Sequence, residues 1–361
     1  MMSLPPKITS TFTICLLLTL FAGCTVGVAR AKESDIEKAA ARWITPQSER
    51  AANLGLRLLV KRQNDDGSYG SGSARGNVGI CALAGMAFLS AGSTPNRGDY
   101  GKNVDRCIDY ILANAQSSGF INGPDTAMHG EMFKHGFATL FLAECYGMTQ
   151  RPELRETITR AVKLIAGTQN EEGGWRYQPR SDDGADMTVT TCQVIALRAA
   201  KNAGIHVPPA TIDAAIAYIK RGQNPDGGFM YMIVGSDIAE DPRVSRFPRS
   251  AAAVTALYAI GIHDGPEIAR GLDYLMGFIP AKGKRSVMGY YYYGQYYAAQ
   301  AFWQAGDERF ERWFPAVRDD LIAKQQEDGS WPSTGESEDC ATAMACISLQ
   351  TPNNYLPIQQ R

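Results

Sequence analysis

Gln63 opens a seven-residue turn, Gln63-Asn64-Asp65-Asp66-Gly67-Ser68-Tyr69, and the chain repeats its register of Gln, three residues, Gly, one residue, aromatic. The other clear copies run Gln169 to Trp175, Gln223 to Phe229 and Gln325 to Trp331. Two degenerate copies fill the gaps, Gln116-Ser117-Ser118-Gly119-Phe120 and Met276-Gly277-Phe278. The starting positions 63, 116, 169 and 223 lie 53, 53 and 54 residues apart. A fixed period of this length marks an array of one supersecondary unit, each unit too small to bury its apolar face alone.

The unit has a physical reading. An Asp-Gly or Glu-Gly step after a helix supplies a residue that adopts positive φ at no steric cost, so the helix stops and the chain reverses. The aromatic two residues on covers the helix end. The Gln amide both donates and accepts, so it can satisfy orphan backbone groups where one helix ends and the next begins. On this reading Gln63, Tyr69, Gln169, Trp175, Gln223, Phe229, Gln325 and Trp331 are structural staples. Helices ending at the repeat turns are predicted over about 47–62, 102–115, 153–168, 208–222, 265–276 and 307–325. Between them run segments rich in Ala, Leu and small residues, about 78–91, 129–147, 187–203, 247–261, 289–305 and 338–349, apolar on more than one face. The connections at 177–185 and 230–248 exceed what a turn needs, and such insertions gather on one face of a repeat array, often the binding face.

This pattern resembles the Gln-Trp repeat of the terpene cyclase and protein prenyltransferase superfamily, which includes squalene-hopene cyclases and prenyltransferase β subunits. The resemblance extends over about residues 47–349 and implies an all-α fold, an α/α toroid of six helical hairpins in which six inner helices stand inside six outer ones. In cyclases of this architecture an Asp-x-Asp-Asp motif protonates an alkene and aromatic rings stabilise the cations that follow. That motif is absent. Asp182-Asp183-Gly184-Ala185-Asp186 comes nearest, which makes Asp183 and Asp186 the candidate acids. The competing reading, favoured by residue chemistry, has Asp186 capping a helix N-terminus and Asp182 and Asp183 solvated. The Zn²⁺ set of the prenyltransferases, an Asp, a Cys two residues later and a distant His, is not matched: Asp339 and Cys340 are adjacent and no His follows His263. No metal and no cofactor is expected.

Further candidates come from local composition. His129 and His135, six apart, fall on different faces of one helix and would not chelate one ion from it. His135 is assigned to the cavity, with a core or rim position as the competing reading. Tyr290 to Tyr297 holds six Tyr in eight positions, and Tyr291, Tyr292, Tyr293 and Tyr296 are assigned to a cavity wall together with Asp339. Packing between helices explains such rings equally well. Glu131 with Asp186 or Asp339 offers the paired carboxylates of a glycosidase, since all three open inner helices.

Residues 8–29 are uncharged after Lys7, and the most apolar stretch, Ile14 to Ala22, is too short to span a bilayer, so residues 1–31 read as a secretory signal. Cleavage after Ala29-Arg30-Ala31 is favoured over lipidation at Cys24 and over an uncleaved anchor; either of the latter would bring membrane association. A lead-in at 32–46, a toroid at 47–350 and a tail at 351–361 complete the division. Loss of Lys7 and Arg30 moves the balance from −1 to 34 − 37 = −3, and without a basic footprint no nucleic-acid partner is expected. Cys81, Cys107, Cys145, Cys192, Cys340 and Cys346 remain, mostly inside apolar helical runs, and read as buried thiols rather than disulfides. The expected function is an exported toroid with a cavity for an apolar, isoprenoid-like ligand. Its rivals are a non-catalytic binding or scaffold ring and a carbohydrate-active enzyme.

Overall fold

The computed structural model describes residues 42–125, 130–182, 184–233, 241–281, 288–306, 308–335 and 337–360. Residues 1–41 lie outside that range, and everything below belongs to the unit beginning at Asp35. The expected signal segment at 1–31, with Cys24, and also His129 and Asp183 lie outside the described residues.

Among the described residues, twelve helices follow one another as six hairpins: α1 (Pro46–Arg62) with α2 (Val78–Ser90), α3 (Gly101–Ala113) with α4 (Glu131–Tyr146), α5 (Pro152–Gly167) with α6 (Met187–Asn202), α7 (Pro209–Arg221) with α8 (Phe247–Ala259), α9 (Pro266–Met276) with α10 (Tyr291–Ala305), and α11 (Glu308–Lys324) with α12 (Glu338–Gln350). The even-numbered helices pack side by side in the order α2, α4, α6, α8, α10, α12, and α12 returns to α2. The odd-numbered helices lie outside them, and α11 packs on α1. This is the α/α toroid expected from the repeat.

Residue chemistry explains the two layers. In α3 the buried Val104, Cys107, Ile108 and Ile111 form one stripe at helical spacing, as a helix with a wet outer face requires. Every residue of α2 from Val78 to Ser90 is buried, as suits a helix held between neighbours on all sides. Helix α1 starts on a capping box in which the Thr45 hydroxyl accepts from the Ser48 amide at 3.1 Å and the Ser48 hydroxyl accepts from the Thr45 amide at 2.9 Å.

Each repeat turn lies between the outer and inner helix of its hairpin, and the four clear copies tie that hairpin to the next. Each Gln side chain donates to the carbonyl of the turn glycine four residues on: Gln63 to Gly67, Gln169 to Gly173, Gln223 to Gly227 and Gln325 to Gly329, at 2.8–3.1 Å. The same amides also donate to a carbonyl in the following outer helix, Asn103, Thr211 and Glu267 for the first three. For Gln325 that carbonyl is Ala51 of α1, at 2.9 Å, so the sixth repeat treats the first as its successor and the ring closes. Gly173 and Gly329 sit at φ +94° and +96°, and a Cβ there would meet the Ala214 carbonyl oxygen at 2.3 Å and the Leu54 carbonyl oxygen at 2.8 Å. Both backbone strain and crowding therefore demand Gly. Trp175 and Trp331 donate their indole N–H to Ile165 and Leu321, ten residues back, at 2.7 and 2.8 Å. Tyr69 and Phe229 are equally buried. The fifth turn has lost the device: Gly277 is at φ −64°, and Phe278 packs on Phe247 and Tyr274 instead.

Both ends of the domain are fastened to the ring. Trp43 of the lead-in packs edge-on against Phe310 and Phe314 of α11, and its carbonyl accepts from Arg318. The tail lies across the C-terminal ends of inner helices: Glu144 of α4 accepts from the Ile358 amide at 3.0 Å, and Gln304 of α10 donates to the Gln359 carbonyl at 2.8 Å.

Candidate functional site: a cavity at the inner-helix N-termini

A cavity of about 750 Å³ opens where the N-terminal turns of all six inner helices meet. Its wall takes Ile80 and Leu83 from α2, Phe133 and Phe137 from α4, Phe247 and Pro248 from α8, Tyr293 from α10, and Cys340 and Met344 from α12. The long connections contribute Tyr177 and Tyr231, whose hydroxyls hydrogen-bond to each other, and the degenerate fifth turn contributes Tyr274 and Phe278. Both long connections thus reach the cavity through those two tyrosines.

Three cations line the cavity, Lys134, Arg246 and Arg249, and no carboxylate does so among the described residues. Lys134 is buried and held by Asp125 at 3.2 Å, with the Asn77 side chain donating to the same carboxylate at 3.1 Å. Arg249 lies over the Tyr231 ring at 5.1 Å. The guanidinium face and the ring are therefore already in cation–π contact at the rim.

The assigned site residues separate into those the cavity holds and those it does not. Tyr293 lines it, packed edge-on against Tyr297 with ring centroids 4.8 Å apart. Tyr290, at the entry to α10 in the left-handed region with φ 56°, lines it too. Tyr291, assigned to the wall, instead turns outward: its hydroxyl donates to Asp320 of α11 and Lys324 sits 5.0 Å over its ring. Tyr292 is buried edge-on against Tyr291, away from the cavity. Tyr296 fills the interior between Phe137 and Tyr297. A helix in the inner ring has neighbours on both flanks and an outer helix behind it, so only one face in the Tyr run reaches the opening.

Asp339 is likewise corrected. It accepts from Arg62 at 2.9 Å and from the Gly70 amide at 3.2 Å, which ties α12 to the first repeat turn rather than to the cavity. His135 is fully buried and accepts from the Ile121 amide at 3.1 Å through Nδ1. Burial pushes its pKa down to about 4, so it is a neutral core residue.

Asp186 takes the structural role. Its Oδ1 accepts from the Thr188 and Val189 amides, each at 2.9 Å, and from the Thr188 hydroxyl at 2.6 Å, which caps α6. The residue has no exposed surface and Oδ2 has no partner, and burial raises the pKa to about 6 despite the cap bonds. Glu131 accepts from Gln178 at 2.7 Å. The three carboxylates expected to meet at one mouth are thus each engaged locally, and none lines the cavity. Cys81, Cys107, Cys145, Cys192 and Cys346 are buried free thiols, and Cys340 is partly exposed.

The geometry is that of an α/α toroid. A profile of the squalene-hopene cyclase C-terminal domain matches residues 138–288. Among curated proteins, a drimenyl diphosphate synthase from Streptomyces showdoensis is 28% identical over 172 residues, 47% of this chain and 30% of that protein. A second, from Streptantibioticus cattleyicolor, is 26% identical over 177 residues, 48% of this chain and 31% of its own length. The match thus spans about a third of these relatives. Two solved folds are similar at low identity: an inactive variant of a Salegentibacter α-1,6-mannanase in complex with α-1,6-mannotriose (TM-score 0.63, 10% identity, 86% of this chain and 99% of that one) and a Scytonema type II terpene cyclase in complex with geranylgeranyl dihydroxybenzoate (TM-score 0.60, 13% identity, 86% and 98%).

Proposed function

We propose that the ring binds an apolar, isoprenoid-like molecule in the cavity at the inner-helix N-termini. The observation that carries this reading is the wall itself: aromatic and aliphatic side chains from five inner helices and both long connections, around a volume within the roughly 300–1,000 Å³ typical of small-molecule sites. The likeness to terpene cyclases and to drimenyl diphosphate synthases supports the isoprenoid class. Acid-initiated cyclisation has less support, because Asp186 is sealed from the cavity and Asp183 lies outside the described residues. Export through the N-terminal segment, which would place this binding outside the cytoplasm, is part of the same proposal and rests on residues 1–31 alone.

A carbohydrate-active ring is the alternative, and the mannanase fold favours it. Glycosidase chemistry calls for two carboxylates flanking the substrate, and no described carboxylate lines this cavity. Titration calorimetry with geranylgeraniol and with an α-1,6-mannooligosaccharide separates the two. The isoprenoid reading predicts uptake of the alcohol with negative heat-capacity change and little dependence on salt, since burial of apolar surface drives it. Heat from the sugar alone would overturn it. The cap of α6 uses only Oδ1, so Asp186→Asn should leave binding of the alcohol nearly unchanged.

A further inference from the structure

Tyr177 and Tyr231, one from each long connection, line the cavity half-buried and share a single hydrogen bond between their hydroxyls. Two hydroxyls carry two protons and the bond between them uses one, so one O–H donor is left over. Neither hydroxyl has another partner among the described residues. Burial, and then the nearby Asp186 carboxylate, raises both phenols above their ordinary value, so each keeps its proton at neutral pH. Several other polar groups of the wall are spent: the Lys134 ammonium on Asp125, the Thr188 hydroxyl on Asp186 at 2.6 Å and the Ser245 hydroxyl on Asp226 at 2.8 Å. The two phenols are also placed independently of the bond they share. The Tyr177 carbonyl accepts from the Met132 amide in the first turn of α4 at 2.9 Å, and the Tyr231 carbonyl accepts from the Met187 amide at the start of α6 at 2.8 Å. The Tyr177 ring packs on Phe133 with centroids 6.4 Å apart, and the Arg249 guanidinium lies 5.1 Å over the Tyr231 ring.

Resting on the reading of the cavity as an isoprenoid-type site, we propose that its occupant carries a neutral oxygen, a hydroxyl or a carbonyl, and that the Tyr177 and Tyr231 pair is the specificity-determining contact that donates to it. The hydrocarbon chain lies along Phe133, Phe137 and Phe278. A ligand without oxygen strips water from the spare O–H and gives nothing back, which costs free energy. A ligand with an acceptor oxygen replaces the water it displaces. The aromatic wall therefore sets the chain class and the tyrosine pair sets the head class.

The test measures, by calorimetry, the binding of farnesene, farnesol and farnesylacetone to the unaltered protein, to the Tyr177→Phe and Tyr231→Phe single variants and to the double variant. The proposal expects farnesol and farnesylacetone to lose about three- to tenfold in affinity relative to farnesene once both hydroxyls are gone. Farnesene itself should bind all four proteins alike. Either hydroxyl alone keeps a free O–H, so each single variant should retain most of the preference for the oxygenated probes. That pattern separates a ligand donor from a tie between the two connections, because the bond between the hydroxyls is already broken in each single variant. Losses in the single variants as large as in the double one would overturn the proposal. A preference that survives in the double variant would also overturn it and put the oxygen against another group, such as Lys134. Uptake of farnesene with no tyrosine-dependent gain for the other probes would overturn the head assignment and leave the apolar site standing. No binding of any probe would bring down the isoprenoid reading and this inference together. Should the double variant fail to fold, the carbonyl stretch of farnesylacetone bound to the unaltered protein decides. A frequency below its value in hexane supports the hydrogen bond, and a frequency equal to that value overturns it.

Discussion

At the scale of single residues, the indole N–H groups of Trp175 and Trp331 each reach ten residues back to a carbonyl of the preceding outer helix, and both rings are fully buried. Replacing either by Ala removes a large buried volume and leaves that carbonyl without its partner. A loss of about 3 to 5 kcal/mol is expected for each, read from denaturant unfolding. A loss below about 1 kcal/mol in both would reduce the staples to surface turns. The Gln, Gly and aromatic positions were legible in the sequence because a fixed register over four copies is hard to explain otherwise. Their partners were not. The Trp175, Phe229 and Trp331 amides donate to hydroxyls of Thr190, Ser250 and Thr342 at 3.0, 2.8 and 3.2 Å, one on each following inner helix. Isolated Ser and Thr residues in apolar helices carry no pattern that marks them as acceptors. Arg246 and Arg249 escaped notice for a similar reason: two arginines at the entry to an inner helix read as solvated charge until the fold shows that they border the cavity.

At the scale of elements, the inner and outer helices differed in sequence as they do in burial, and their predicted bounds fall within a few residues of those observed. The Tyr run of α10 shows where such reading stops. Six rings on one helix cover every face, and only the positions of α8, α11 and α12 decide that Tyr293 meets the cavity while Tyr291 meets Asp320. The C-terminal tail is an element whose docking has a pH signature. Burial raises the Glu144 carboxyl from 4.5 to about 8, partly offset by the Ile358 amide it accepts from. The folded ring therefore holds this proton more tightly than the unfolded chain does. Its stabilising contribution is full below about pH 4.5 and is lost as pH climbs toward 8, by a few kcal/mol at most. Glu144→Gln keeps an acceptor for Ile358 and cannot ionise, so its unfolding free energy should fall less than that of the unaltered protein between pH 5 and pH 8. Parallel declines in the two proteins would show that Glu144 does not govern the change.

At the scale of the whole ring, closure is made by the same contact that joins three of the other pairs of hairpins, with Gln325 reaching Ala51 across the seam. Arg62 and Asp339 reinforce it on one side, and Gln350 donating to Ser90 at 2.9 Å does so on the other. A repeat whose last copy satisfies its first needs no capping unit, and the inner helix ends are then free to converge on one cavity. The central claim is that this cavity, and no other surface, takes up an isoprenoid chain. The direct measurement is photo-crosslinking with a diazirine-bearing polyprenyl probe, followed by peptide mapping. The account predicts adducts within residues 130–137 and 288–293 and at Phe278, all suppressed by excess unlabelled geranylgeraniol. Adducts confined to outer-helix surfaces, or labelling that the competitor leaves unchanged, would contradict it.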